Sequence, residues 1–397
     1  SRTYQRRIQV MKYHKIFIAA LLAAASTAGY AQSSIDALAK AERAVSAAKA
    51  ETAPDARQAI FDIKAYNDPA GRLVVGGVTS DSTARNATIR KLEEAGVDYA
   101  DSMKVLPYDR WAMTRISAAS HRGLGKHASE LVTQSVMGTP LRLLEQAGEW
   151  WRVQTPDGYI AYVPSTSVVE KSDDEMSAWR ESRRFIVVSP YQVRAYKSPE
   201  ATGVRNVVTD LVNGCIVTAV GGAPKVTDGK LHIELPDGRT GFVDATALKP
   251  IEEWANQPFD SDCILDIAYS MEGTPYLWGG ASTKALDCSG LAKVSYFANG
   301  IILMRDASQQ ALTGTRIEAK DWRTCRPGDL LFFGNADTRK VTHVAIYDHD
   351  GNYVHSSGRL SHHALPSCRA HSRQRRDSRH CPRQKSPLVF QQVKSFI

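Results

Sequence analysis

The sequence predicts an α+β protein in which a helix-on-sheet domain late in the chain follows two small β-barrels and a small α+β unit. Three observations point there. A short helix opens at Asp287-Cys288-Ser289-Gly290 and is followed by β-rich runs. Two earlier stretches of short strands close on the same Pro-Asp-Gly hairpin. The helix-on-sheet domain takes about 100 residues and leaves roughly 225 before it, room for more than one further core.

In chain order, Met11-Lys12-Tyr13-His14-Lys15 and the apolar run after it read as the basic and hydrophobic regions of a signal peptide spanning residues 11–31. Gly29-Tyr30-Ala31 offers a small-x-small cleavage site before Gln32. The run is too short to span a membrane and no cysteine follows it for lipidation, so an exported, soluble product is expected, periplasmic or secreted. Residues 1–10 precede the first Met and are read as outside the fold.

Residues 32–112 form the small α+β unit. The Ala-rich stretch 32–50 reads as an exposed helix, and 60–104 as a strand, Gly76-Gly77, a helix over 83–95 and a further short strand. Residues 113–169 and 185–250 alternate short strands and turns. Each closes on a hairpin, Thr155-Pro156-Asp157-Gly158-Tyr159 in the first and Leu235-Pro236-Asp237-Gly238-Arg239 in the second. Pro presets φ and Gly accepts a positive φ, which makes that tripeptide a turn. The repeat resembles a tandem pair of bacterial SH3-like barrels. The charged linker 170–184 reads as helical.

In the domain over residues 256–358, Leu291 to Phe297 places apolar residues at helical spacing and Asn299-Gly300 stops the helix. Cys288 therefore falls in the first turn, at the positive end of the dipole. There a nearby imidazolium is expected to lower its pKa toward a reactive thiolate. His343 follows 55 residues later on a β-rich run, and His355 on the next. The turn Asp348-His349-Asp350-Gly351 decides their relation. A three-residue loop sets His355 opposite Ala345, on the face of His343, whereas an even loop would separate them. The odd loop is expected, with His343 as general base and His355 orienting its ring.

Tyr276-Leu277-Trp278-Gly279-Gly280, Asp287-Cys288-Ser289-Gly290, Arg305-Asp306, Pro327-Gly328-Asp329-Leu330 and Thr342-His343-Val344-Ala345-Ile346-Tyr347 resemble, in order and spacing, the NlpC-type peptidases. These are papain-like cysteine endopeptidases of bacterial peptidoglycan. The resemblance implies catalysis by Cys288, His343 and His355, with the Tyr276 hydroxyl and the Cys288 N–H stabilising the oxyanion. It implies that Asp287 and Ser289 line the pocket before the scissile bond, although Asp287 also suits a helix cap. Asp306, with Arg305, would be a second substrate element or else a plain surface ion pair. Glu130 and Tyr159 match positions that bind the substrate's free N-terminus in the γ-D-glutamyl-L-diamino acid endopeptidase subgroup. Glu130 would then sit in a half-buried cleft, where a charge pair is worth more than on the surface. Otherwise Glu130 is a solvated strand residue and Tyr159 a barrel core aromatic.

The implied partners are peptidoglycan stem peptides or muropeptide fragments, acted on by a monomer with no cofactor and no metal. Cys215, Cys263 and Cys325 lack zinc-site spacing and read as structural or incidental. The formal charge of +8 does not indicate nucleic acid. Residues 359–397 hold nine Lys/Arg against one Asp and residues 1–10 hold three Arg, which leaves 11–358 near −3. That basic tail, with Cys368 and Cys381, reads as a disordered arm. It can also be read as a frameshifted end, since a neighbouring frame over 377–390 can encode an aromatic ending like that of relatives. Two other functions fit parts of the pattern: a wall-binding protein with an inactive peptidase domain, and a Cys-His amidase or acyltransferase.

Overall fold

The computed structural model describes residues 34–318, 323–335, 337–338, 340–364 and 389–395. Residues 11–31, read above as a signal peptide, and residues 365–388, with both tail cysteines and most of the tail's arginines, lie outside the described residues. The chain divides into two compact units, 1–107 and 108–397.

In the first unit, β1 (Phe61–Asn67) pairs antiparallel with β2 (Leu73–Thr79), which pairs parallel with β3 (Ala100–Val105) through the crossover helix α2 (Ser82–Glu94). Helix α1 (34–52) was expected to be exposed but buries Ala41, Ala44, Val45 and Ala48 in a core with Phe61, Ile63, Val75 and Met103. These four positions recur at helical spacing, and small side chains allow close approach to the sheet.

The second unit begins with barrel 1, built from β4 (Trp111–Thr114), β5 (Ala118–Arg122), β6 (Leu131–Val136), β7 (Pro140–Ala147), β8 (Trp150–Gln154), β9 (Ile160–Pro164) and β10 (Val168–Lys171). They pair in the order β10-β4-β7-β8-β9-β5-β6 around Leu141, Leu143, Trp151, Val153 and Val163. Helix α3 (Asp173–Glu181) carries a reciprocal Ser172/Glu175 capping box, which fixes its start in the charged linker. Barrel 2 spans residues 184–250 with eight further strands, β11 to β18, around Leu211, Val217, Leu231, Ile233 and Val243.

The remaining residues form a helix-on-sheet domain. Helices α4 (Ile251–Ala255), α5 (Ser261–Ser270), α6 (Cys288–Ala298) and α7 (Ala307–Gln310) accompany a short ribbon, β19 (Ala281–Ser282) and β20 (Ala285–Leu286). The main sheet contains β21 (Thr315–Glu318), β22 (Leu330–Gly334), β23 (Val341–Tyr347), β24 (Asn352–Ser357), β25 (Arg359–Ala364) and β26 (Val389–Ser395), in the order β21-β26-β22-β23-β24-β25. Leu291, Ala292, Leu330, Phe332, Val344 and Ile346 share the core between α6 and this sheet. The α+β class expected from the sequence is the one observed.

Of the tail read as a disordered or frameshifted arm, only 359–364 and 389–395 lie among the described residues, and 377–388 lies outside them. The sheet does not end at residue 358: β25 folds back onto β24 across Gly358, and β26 inserts between β21 and β22. These two strands hold only Arg359 and Lys394 of the tail's nine Lys/Arg, and β25 is an edge strand where polar side chains are tolerated.

Candidate active site

The site starts from the cap of α6. Asp287 has an extended backbone, and its Oδ1 accepts the Gly290 N–H at 2.7 Å, which frees Cys288 to begin the helix. Gly290 is demanded by packing: a Cβ there would lie 2.0 Å from the Gly280 carbonyl oxygen. That approach brings the 276–280 loop against the first turn of the helix.

The histidines come from the β23/β24 hairpin. Ile346 faces Val354 and Tyr347 faces Tyr353, with a three-residue loop in which Asp350 and Gly351 take positive φ. This odd loop brings the rings together, His343 Nε2 to His355 Nδ1 at 2.8 Å and nearly perpendicular. One nitrogen of the pair donates and the other accepts, so the tautomer of one ring sets that of the other. A cavity of about 320 Å³ is lined by Tyr276, Cys288, Thr342, His343, Ser356, Ser357 and Gly358.

The resting electrostatics differ from the expected thiolate. Burial pushes the Cys288 thiol up to about 11, the Asp287 carboxylate adds to this, and the Val344 N–H only partly offsets it. Burial takes His343 down to about 4 against the opposing pull of Asp287. Desolvation therefore outweighs the helix terminus, and the pair rests as neutral thiol and neutral imidazole. Tyr276 is pushed up by burial and by Cys288 and Asp287, so its phenol keeps its proton and can donate to a developing oxyanion.

Asp287 and Ser289, expected to line the pocket, are turned inward. The Asp287 carboxylate accepts five hydrogen bonds: from Gly290 N, Ser289 Oγ and Arg305 Nη1 on one oxygen, and from Gly279 N and Arg305 Nη2 on the other. Ser289 Oγ also accepts from Arg305 Nη1 at 2.9 Å. With its acceptor sites filled, Asp287 organises the helix terminus instead of reaching the cleft. Arg305 is no surface ion pair: it is 1 % exposed, holds Asp287 at 2.6 Å, and donates through Nε to Thr133 Oγ1 of barrel 1 at 3.1 Å.

Barrel 1 meets this domain along β6. The Gln134 side-chain oxygen accepts from Ala281 N and Ser282 Oγ, both at 3.0 Å. Gly279, at φ +79°, passes so near that a Cβ would lie 2.3 Å from the Leu131 carbonyl oxygen. Glu130, just before β6, is exposed, not half-buried, and accepts from Trp278 Nε1 at 2.6 Å. Tyr159 is 7 % exposed and donates its hydroxyl to Asp306 Oδ2 at 3.4 Å. Trp278 and Arg305 were quoted in motifs but given no such roles; Arg305 beside Asp306 was the available signal.

Among the described residues, no group of His, Cys, Asp and Glu is arranged to hold a metal ion, and no helix is long and apolar enough to cross a membrane.

Residues 273–377 match the NlpC/P60 family, and residues 125–168 match the bacterial dipeptidyl-peptidase SH3 domain. The chain is similar to dipeptidyl-peptidase 6 of Lysinibacillus sphaericus, 28% identical over 235 residues, covering 58% of this chain and 81% of that protein. It is also similar to the gamma-D-glutamyl-L-lysine dipeptidyl-peptidase of Bacillus cereus, 24% identical over 264 residues, 63% of this chain and 74% of that one. A crystal structure of an NlpC/P60 family protein from Bacillus cereus superposes with a TM-score of 0.56 at 18% identity, covering 64% of this chain and 94% of that one.

Proposed function

From the premise that this chain carries an NlpC/P60 cysteine peptidase domain behind a bacterial dipeptidyl-peptidase SH3 domain, we propose that it cleaves γ-D-glutamyl–L-diamino acid bonds in peptidoglycan stem peptides bearing a free N-terminal L-Ala. The observation that carries this reading is the meeting of barrel 1 with the peptidase domain. Glu130 and Tyr159 bond Trp278 and Asp306, in the 276–280 loop and in the residue after Arg305. A carboxylate, a phenol and a second carboxylate where barrel 1 meets the peptidase domain suit an ammonium group, which needs acceptors.

In the reaction, Cys288 Sγ attacks the γ-carbonyl carbon while His343 takes the thiol proton. With a thiol near 11 and an imidazole near 4, that transfer accompanies attack and does not precede it. The Tyr276 hydroxyl and the Cys288 N–H receive the oxyanion, and His355 holds the His343 ring. His343 then gives its proton to the leaving amine, and the C–N bond breaks. Water, deprotonated by His343, attacks the thioester and restores the thiol. Recognition of a free amine suits released wall fragments, and so recycling or turnover outside the cytoplasm, as the segment 11–31 implies.

The test is mass spectrometry of L-Ala-γ-D-Glu-diaminopimelate and its N-acetylated form after incubation with wild type, Cys288→Ala and Glu130→Ala. Cleavage of the free-amine peptide, abolished by Cys288→Ala and weakened through KM by Glu130→Ala, is expected. Equal cleavage of both peptides would remove the amine-binding role, and binding to intact wall without peptide release would favour an inactive wall-binding protein.

A further inference from the structure

Lys293 lies on α6, five residues beyond Cys288. Its ammonium donates at once to Asp157 Oδ2, at 2.9 Å, and to the Leu303 carbonyl, at 3.1 Å. The ion pair is buried, with the Lys293 and Asp157 side chains 17% and 4% exposed. Asp157 sits in the barrel 1 turn between β8 and β9, where it also accepts from Thr155 Oγ1. Tyr159 is two residues further along that turn, and Asp306 three residues beyond Leu303. One ammonium thus ties together the two segments whose ends meet at the Tyr159–Asp306 hydrogen bond.

Burying such a pair is rarely a net gain over an apolar pair of the same size, because desolvation consumes the Coulomb term. What a buried, hydrogen-bonded pair supplies is direction: an ammonium with two fixed acceptors leaves the turn and the 303–306 segment little freedom relative to α6. Burial alone would raise the Asp157 carboxyl, but the attraction and hydrogen bond of Lys293, with help from Thr155, hold it below the usual range. The carboxylate therefore stays charged, and the clamp closed, throughout the neutral range.

We propose that Lys293 and Asp157 are positioning residues for substrate selection, a clamp that sets the Tyr159 hydroxyl against Asp306 and so shapes the pocket for the peptide's terminal ammonium. The proposal rests on the free-amine reading above and adds two residues that touch no substrate.

The experiment is steady-state kinetics on free-amine and N-acetylated peptides with wild type, Lys293→Met, Lys293→Arg, Tyr159→Phe and Lys293→Met/Tyr159→Phe. Lys293→Met is expected to raise KM for the free-amine peptide about tenfold, with kcat held within about twofold and the acetylated peptide unaffected. Lys293→Arg, which keeps the charge, should restore most of the loss. On the Tyr159→Phe background the same change should add less than about twofold, because it acts through that hydroxyl. Equal losses on both peptides, or full additivity with Tyr159→Phe, overturn the clamp while leaving the free-amine reading intact. A wild type that cleaves both peptides equally overturns that reading and the clamp with it. If Lys293→Met does not fold, Asp157→Asn/Lys293→Met leaves no unpaired buried charge and must show the same KM split.

Discussion

Arg305 closes a two-pronged ion pair on Asp287, the residue that caps the helix opened by Cys288. The guanidinium also reaches Ser289 in the first turn and Thr133 in barrel 1, so one buried side chain joins the nucleophile's helix to the neighbouring barrel. Removing it strands a buried carboxylate. Arg305→Ala should destabilise the 108–397 unit by about 3–5 kcal/mol, read by urea denaturation. Arg305→Met/Asp287→Asn should recover part of that loss while still lowering kcat, since an amide has one acceptor oxygen and leaves the Gly279 N–H without its partner in the 276–280 loop. Unchanged stability in Arg305→Ala would show that the pair is not holding the helix terminus.

Acidity gives a second prediction. With His343 held at about 4 and Cys288 at about 11, kcat/KM should show an acid limb near 4 and an alkaline limb near 11. An acid limb near 6.5 would mean that the imidazole is not desolvated in the free enzyme. Stability should follow the same groups. His121, buried in barrel 1 with Nε2 2.7 Å from Ser135 Oγ, is likewise taken down to about 4 by burial. The unfolded chain protonates these imidazoles near 6.5 and the folded chain only near 4. Stability is therefore full above 6.5 and falls as pH drops through that window. The melting temperature between pH 7 and 4 checks this, and His121→Gln should flatten the decline.

The remaining site groups separate by kinetic signature. His355→Ala removes the hydrogen bond that orients His343 and should lower kcat about 10²–10⁴-fold with little change in KM. Tyr276→Phe removes one oxyanion donor and should cost about 10²–10³-fold in kcat. Rapid-quench measurement of acylation would distinguish these from slowed product release, which neither change should affect.

What was legible in the sequence was local. The Asp287-Cys288-Ser289-Gly290 run announces a capped helix, and loop parity alone is enough to place His355 beside His343, because side chains alternate along strands. The roles of Asp287 and Ser289 were not legible: they depend on Arg305, whose partners include Thr133, 172 residues away. Glu130 could be matched by position, but its exposure and its bond to Trp278 arise only when β6 docks on the 276–280 loop. The α1 stripe escaped because its Ala-rich composition reads as solvent-facing, and the strands at 359–364 and 389–395 because the basic run between them dominates the composition of the tail. Burial of the one and pairing of the others are set by partners distant in the chain.

Gly290 offers the sharpest steric test of the site's construction. A methyl group there would meet the Gly280 carbonyl oxygen at 2.0 Å, and both neighbours are backbone, so no side-chain rotation relieves the clash. Either α6 retreats from the 276–280 loop or that loop moves. Tyr276 and Trp278 belong to the loop, so the oxyanion donor and the Glu130 contact shift together. Gly290→Ala should therefore lower kcat for free-amine and N-acetylated peptides alike and lower the melting temperature, unlike Glu130→Ala, whose effect is confined to KM for the free amine. A Gly290→Ala enzyme with wild-type kcat would show that the helix terminus and the loop do not act as one rigid support.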